Sequence, residues 1–340
     1  MTEKDIYADV NIRSRIENGK AYLEFDLFRS KETEAERNIC GCGDNSGDLQ
    51  ESKYVIYMLD SMQKEVFRCI CPLSEEPVKG ILLHPHLWSG TEDPYLYTVR
   101  VFRVLNESDS REARYVEVCR TYLPLRKLEE IPGKGWFLND RPFEIRAVRC
   151  REEDFAKGSY REFTDEKCCD GGTLQDRRDS EQGSIRKTLE ILLSLGTNTI
   201  CISEDTKDDF LKSLEKECNR QGFVMWRVGE KNDVAPKLSE LFKKNSPFYS
   251  DTFYCYKALW SRQSFVHISE SSIRWCPGNR LTLTVYSNQK KVALYVDGIL
   301  FEFRTGGGEY LFEEIPMEQY PVMINVTAGE CSSAVTVYGV

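Results

Sequence analysis

Histidine is almost missing from this chain, with 3 in 340 residues. A histidine relay or a histidine metal triad would have to draw together His84, His86 and His267 from strand-like stretches near the two ends, so satisfied structural histidines are expected. No G-x-G-x-x-G or Walker-type loop occurs. Gly306 to Gly308 follows a strand-like run with no helix after it, which reads as a loop and not a phosphate cradle. Positive charge is not in excess: 46 Lys plus Arg against 55 Asp plus Glu leave a net charge of -9, which gives nucleic acid no footprint to follow. No window approaches the ~20 apolar residues needed to span a bilayer, and Met1 to Asp9 shows no basic segment followed by an apolar run. The expectation is a soluble, cytoplasmic protein without nucleic-acid or membrane partners.

An apolar fraction of 41% is enough to bury real cores, and the length suits two or three domains. The 13 cysteines are an odd number spread along the chain, which favours reduced thiols over a disulfide framework. Cys40 and Cys42 sit in a Gly-rich loop that could wrap a metal, but zinc wants two ligand pairs at the right spacing, so neither a metal nor a cofactor is expected. Cys69 and Cys71 alternate within a strand-like run and point to one face, where small hydrophobes are the simpler reading.

From Ala8 to about Leu123 the sequence alternates with period two in about seven short runs, the size of an immunoglobulin-like sandwich. Asn18-Gly19 and Asp297-Gly298 each mark a two-residue hairpin, because both positions of that turn need positive φ. Arg29 to Ser52 is charged and poor in apolar residues, so a long inserted loop is expected. The middle changes character. A strand-like "PFEIRAVRC", a polar stretch from Arg151 to Gly183, the helical "IRKTLEILLSLG", the strand "TNTICIS", the helix "FLKSLEKECNRQG" and the strand "FVMWRV" make a βαβαβ order with parallel strands. From roughly Ser250 the chain reverts to six strand-like runs. The expected domains are 1–125, 126–246 and 247–340.

At "HPHLWSGTEDPYLYTVRVF", Pro85, Leu87, Trp88, Ser89, Pro94, Tyr95, Leu96 and Tyr97 match the end of the immunoglobulin-like domain of glycoside hydrolase family 2, the β-galactosidases, β-glucuronidases and β-mannosidases. "WFLNDRPFEIRAVRCRE" and "LLSLGTNTICISED" follow the order of that family's barrel entrance and first two barrel strands. "DTFYCYKALWSRQSFVHI" and "VYSNQKKVALYVDGILF" look like the β-sandwich that follows the barrel in many bacterial β-galactosidases. The chain therefore resembles family 2 over nearly its whole length. The implied fold is a multidomain, mainly β protein: an immunoglobulin-like β-sandwich, a truncated (β/α) barrel remnant and a second C-terminal β-sandwich.

The departures are as informative. Gly133 to Ser246 holds fewer than half of the ~250 residues of a (β/α)8 barrel, so the barrel cannot close. The later strands would carry the family's Asn-Glu acid/base pair and nucleophilic Glu, and no segment matches either. A retaining glycosidase needs those carboxyl groups ~5 to 5.5 Å apart. On the first strand Ala147, Arg149, Cys150 and Arg151 stand where the family has Gly, Asn, Arg and His, and only Val148 and Glu152 persist. On the second, Cys201 replaces Arg while Glu204 and Asp205 replace His-Tyr, with Asn198 and Ser203 kept. A rebuilt catalytic pair would have to come from Glu152, Glu204, Asp205 and Glu230, although acidic residues before a helix commonly cap it. Arg149, Arg151, Asn198 and Trp226 are the candidate carbohydrate-binding residues. Trp88, Tyr95 and Tyr97 are expected to pack rather than bind. The resulting expectation is a non-catalytic relative of family 2 glycoside hydrolases acting in carbohydrate binding or protein assembly, the alternative being an active β-glycosidase with a rebuilt carboxylate pair. The open remnant would leave apolar faces that self-association, another protein or the sandwiches must cover.

Overall fold

The computed structural model describes residues 8–29, 53–72, 76–105, 114–156, 174–229, 235–242 and 249–338. The loop expected over Arg29 to Ser52 falls outside them from residue 30 onward, as do Cys40, Cys42 and Glu230. The chain divides into two compact units, 1–144 with 219–222, and 145–218 with 223–340.

The first unit holds seven long strands: β1 (Ala8–Glu17), β2 (Lys20–Arg29), β3 (Lys53–Leu59), β4 (Glu65–Pro72), β5 (Val78–Leu83), β6 (Tyr97–Leu105) and β7 (Arg114–Leu123). They form two sheets ordered β1-β2-β5 and β4-β3-β6-β7. Alternation sends Ala21, Leu23, Phe25 and Leu27 inward from β2 to meet Tyr54, Ile56 and Met58 of β3 and Val99 and Val101 of β6, the inward face of a sandwich. Asn18 and Gly19 have φ of 49° and 71°, so the first expected hairpin turn is present. Cys69 and Cys71 share the face expected of them, with Cys71 buried in this core and Cys69 packed at its edge.

On the outer side of this sandwich Glu117 accepts hydrogen bonds from Arg120 Nε at 2.6 Å and Arg100 Nε at 2.9 Å. Arg120 first, then Arg100, hold its carboxyl below the usual carboxylate range against the opposing effect of burial. A folded pKa below the unfolded one contributes stability above the unfolded pKa and loses it as pH falls through the folded one. Glu117→Gln is therefore expected to be less stable than wild type at neutral pH, by under about 1 kcal/mol for a partly solvated pair. In urea titrations at a series of pH values the difference should vanish in acid.

A third, small sheet was not evident from the sequence: β8 (Leu128–Ile131), β9 (Gly135–Leu138) and β10 (Arg141–Pro142), ordered β10-β9-β8. The turn between the last two uses Asn139 and Asp140 at φ of 52° and 65°. The strand expected over "PFEIRAVRC" is thereby cut, because Pro142 belongs to β10 and the parallel strand begins only at Ala147.

The second unit opens with that strand, β11 (Ala147–Cys150), followed by α1 (Glu152–Ala156), α2 (Leu174–Leu195), β12 (Thr199–Ser203), α3 (Asp208–Gln221) and β13 (Val224–Val228). The strands pair parallel in the order β11-β12-β13, as the βαβαβ reading required. Helix α2 begins earlier than its apolar spacing suggested, because after Leu174 its first turns are polar or charged and show no apolar period. It ends as read: Gly196 has φ of 94°, its N–H reaches Leu193 O at 3.0 Å, and the Thr197 N–H reaches Leu192 O at 3.1 Å, a Schellman cap.

A 3-10 turn at Leu238–Glu240 and α4 (Asp251–Trp260) come next. The reversion to β structure expected at Ser250 is thus delayed by a helix. Ser250 is its N-cap, accepting from the Phe253 N–H, and a ten-residue helix shows fewer than three turns of the periodicity by which a helix is read. The second sandwich follows: β14 (Val266–Cys276), β15 (Arg280–Ser287), β16 (Lys291–Val296), β17 (Ile299–Thr305), β18 (Gly308–Pro316), β19 (Val322–Ala328) and β20 (Cys331–Val337). Its sheets are ordered β14-β15-β18 and β17-β16-β19-β20, with Leu281, Leu283, Val285, Leu294, Phe312, Ile324 and others fully buried between them. No barrel is closed among the described residues.

Candidate functional site

The two faces of the parallel sheet have different fates. Val148, Cys150, Ile200 and Ile202 point to one side and share a core with Ile185, Leu189 and Leu192 of α2 and Leu211, Leu214 and Cys218 of α3. Alternation sends the intervening residues the other way. Register sets Arg149 beside Cys201, and Cys201 beside Trp226, so these three residues form one row across the face turned away from the helices.

Neighbouring strands lie about 4.8 Å apart, which puts Arg149 and Trp226 about 10 Å apart at their Cα atoms. Both are half-buried. Cys201 between them is buried, which pushes its thiol up, while the charge of the Arg149 guanidinium acts in the opposite sense. A thiol kept in its neutral form is a poor nucleophile, so the row sets a guanidinium, a small sulfur and an indole side by side, with no reacting group of its own.

The edge strand β11 is also paired on its outer side. The Arg149 N–H donates to Pro236 O at 2.9 Å, and Arg149 and Lys237 form an isolated parallel bridge. Leu238 and Leu241 then join the same core as Phe253 of α4. The chain passes from its third parallel strand to a short extended piece on the far side of the first, where a closed barrel would place its last strand. Nothing local in the sequence marks Pro236 or Lys237, since one bridge between distant residues leaves no period.

The candidates separate by their position along the strands. Arg151, Glu152, Glu204 and Asp205 all follow the C-terminal ends of β11 or β12. The Arg151 N–H is capped by Asp154 at 2.8 Å, and Glu152 Oε1 lies 3.4 Å from Lys207 Nζ. Glu204 reaches towards Gly229, just beyond β13. Asp208 pairs with Arg227 at 3.2 Å. Asn198 lies at the opposite end, before β12. It is buried, and its Oδ1 accepts from the Arg146 N–H and the Thr199 hydroxyl, each at 2.9 Å, so it locks the sheet entrance. No group of three or more metal-ligating side chains occurs among the described residues.

The aromatic block in the first unit is packing. Trp88 is fully buried, and its Nε1–H donates to Asn219 O at 2.8 Å. The Tyr97 hydroxyl accepts from the His86 N–H at 2.7 Å, and the His86 ring stacks on Tyr95 with Nε2 at 2.6 Å from Asp93. His267 stacks on Tyr254. Among the described residues no helix is long and apolar enough to cross a membrane.

A sandwich, a parallel α/β sheet and a second sandwich, in that order along the chain, make up a multidomain β-glycosidase-like fold. Solved structures carry the likeness across the chain: a β-glycosidase from Bacteroides vulgatus matches 97% of this chain at TM-score 0.64 and 10% identity. A Parabacteroides merdae β-glucuronidase gives 0.65 over 97% at 10% identity, and a glycosyl hydrolase family 2 member from Bacteroides cellulosilyticus gives 0.58 over 97% at 11%. These matches span 64%, 64% and 62% of the respective solved chains. In sequence, 151 residues are 23% identical to a Bacteroides fragilis β-glucuronidase, covering 44% of this chain and 18% of that protein. No family model matches the sequence. The fold is that of family 2 glycoside hydrolases, as the sequence motifs implied, without a closed barrel among the described residues.

Proposed function

We propose that this chain is a non-catalytic relative of family 2 glycoside hydrolases that binds carbohydrate on the helix-free face of its parallel sheet. The observation that carries the reading is the Arg149–Cys201–Trp226 row. An indole face suits the C–H surface of a pyranose, and a guanidinium about 10 Å away donates in a planar fork to hydroxyls or to a sugar carboxylate. The β-glucuronidase names among the similar proteins make uronic acids the first sugars to try. The missing acid/base and nucleophile segments support binding without turnover. A cytoplasmic location suits the nine described cysteines, which form no disulfide with one another.

Thermal unfolding against glucuronides, galactosides, mannosides and their oligomers tests the binding. A ligand at 100 times its Kd adds about 2.7 kcal/mol, which moves the midpoint by about 5 °C or more for a domain of this size. Trp226→Ala and Arg149→Met should each remove most of that shift. No shift with any sugar, or a shift that both variants retain, would refute the site.

The carboxylates at the C-terminal edge favour a second reading. Glu152 and Glu204 follow adjacent parallel strands, the edge that carries chemistry in barrel enzymes. If the chain hydrolyses glycosides with a rebuilt pair, Glu152→Gln and Glu204→Gln should each abolish turnover.

A further inference from the structure

The outer face of the sheet β4-β3-β6-β7 gathers positive charge. Tyr54, Ile56 and Met58 of β3 turn into the first sandwich, so alternation turns Tyr57 outward. Register sets Tyr57 between Arg68 of β4 and Arg100 of β6, with Arg120 of β7 beyond. The next two rows on that face add Glu117, Lys53, Ile70 and Tyr115. Across these rows three arginines and one lysine meet a single glutamate, on a chain whose net charge is -9.

The guanidiniums are held in place. Arg68 lies over the Tyr57 ring, 5.2 Å from its centroid, and Arg100 over the Phe102 ring at 4.8 Å, while the two rings meet edge to face at 5.5 Å. Glu117 accepts from both Arg100 and Arg120, which orients two forks with one carboxylate and leaves a positive charge over. Arg68 is exposed, and a guanidinium stacked on a ring keeps its planar edge free to donate. Two strand spacings, about 9.6 Å, separate Arg68 from Arg100 at their Cα atoms.

We propose that this face binds an acidic polysaccharide, a linear polyuronate, through Arg68, Arg100 and Arg120. The planar fork of arginine matches a carboxylate with two parallel hydrogen bonds, and a polymer with a carboxylate on every ring meets both ends of the row at once. Ile70 and Tyr115, exposed at 61% and 49%, offer apolar contact to the C–H surfaces of the rings. Single-stranded nucleic acid needs bare aromatic faces on which bases stack, whereas Tyr57 and Phe102 each carry a guanidinium. The choice of a sugar polymer over an acidic peptide rests on the carbohydrate reading proposed above, but the face uses none of the residues of the Arg149–Cys201–Trp226 row.

The test is calorimetric titration of the full chain with polygalacturonate at low salt. Binding should weaken as salt rises and be absent with fully methyl-esterified polygalacturonate, which keeps the rings and loses the charge. Arg68→Gln should weaken binding about tenfold, the worth of a hydrogen bond to a charged group, with the unfolding midpoint little changed because the side chain is exposed. Arg68→Lys should weaken it less, since the charge stays and the planar fork is lost. The Arg149→Met/Trp226→Ala double variant, which disables the row on the parallel sheet, should still bind the polymer and still lose that binding on Arg68→Gln. No binding, binding that Arg68→Gln leaves undiminished, or equal binding of polyglutamate or a single-stranded oligonucleotide would overturn the proposal. Loss in the double variant but not in Arg68→Gln would overturn it too and move the polymer to the parallel sheet.

Discussion

Trp88→Ala should be the most damaging single truncation in the first unit, lowering its stability by about 4 kcal/mol or more. The side chain is fully buried, and removing a buried Trp costs roughly 3–5 kcal/mol through lost transfer energy and the cavity left behind. It also strips the Asn219 carbonyl of its donor at 2.8 Å, a loss of about 1–3 kcal/mol if the group stays dry. The Arg126 guanidinium, stacked 4.5 Å from the ring centroid, loses a cation–π partner. The thermal midpoint should fall on the order of 10 °C. Trp88→Phe keeps most of the volume and loses only the N–H, so it should fall by less than half as much. Equal losses in the two variants would mean that the hydrogen bond, not the packing, dominates.

The second large effect is expected at Gly196. Its φ of 94° is strained for any L side chain, and an added Cβ would sit 2.4 Å from Trp260 O and 2.8 Å from Ser261 N. Those are backbone atoms and cannot swing aside, and Trp260 O already accepts from Arg146 Nη1 at 2.8 Å. Strain and overpacking each cost about 1–3 kcal/mol, so Gly196→Ala should lose about 3 kcal/mol or more in urea unfolding. Gly278→Ala is the control: its φ is 82°, but nothing lies within 4 Å of the added Cβ. It should show the conformational cost alone, about 1–2 kcal/mol. Matching losses at the two glycines would show that the close approach to Trp260 contributes nothing.

The residues that announced the fold did so through local rules. Asn18-Gly19 and Asp297-Gly298 can adopt the turn that a two-residue hairpin demands, and both do. The apolar spacing from Ile185 to Leu195, closed by Gly196, identified the core of α2 and its stop. What escaped was short or non-local. Helix α4 is too brief to show a period, β9 and β10 are joined by a turn of Asn139 and Asp140 without an apolar rhythm, and the first turns of α2 are polar or charged after Leu174. The candidate site was half legible. Arg149 and Trp226 stood out as residue types suited to a sugar, but their alignment on either side of Cys201 exists only in the register of three parallel strands. Asn198 shows the reverse case: kept from the family pattern, it spends its side chain on the Arg146 N–H and the Thr199 hydroxyl.

The measurement that bears most directly on the account is hydrolysis of 4-nitrophenyl β-glucuronide, β-galactoside and β-mannoside by the purified chain, set beside the Glu152→Gln/Glu204→Gln double variant. A non-catalytic relative should release nitrophenol no faster than that variant on any of the three. Turnover that the double variant abolishes would contradict it and make the chain a glycosidase with a rebuilt carboxylate pair.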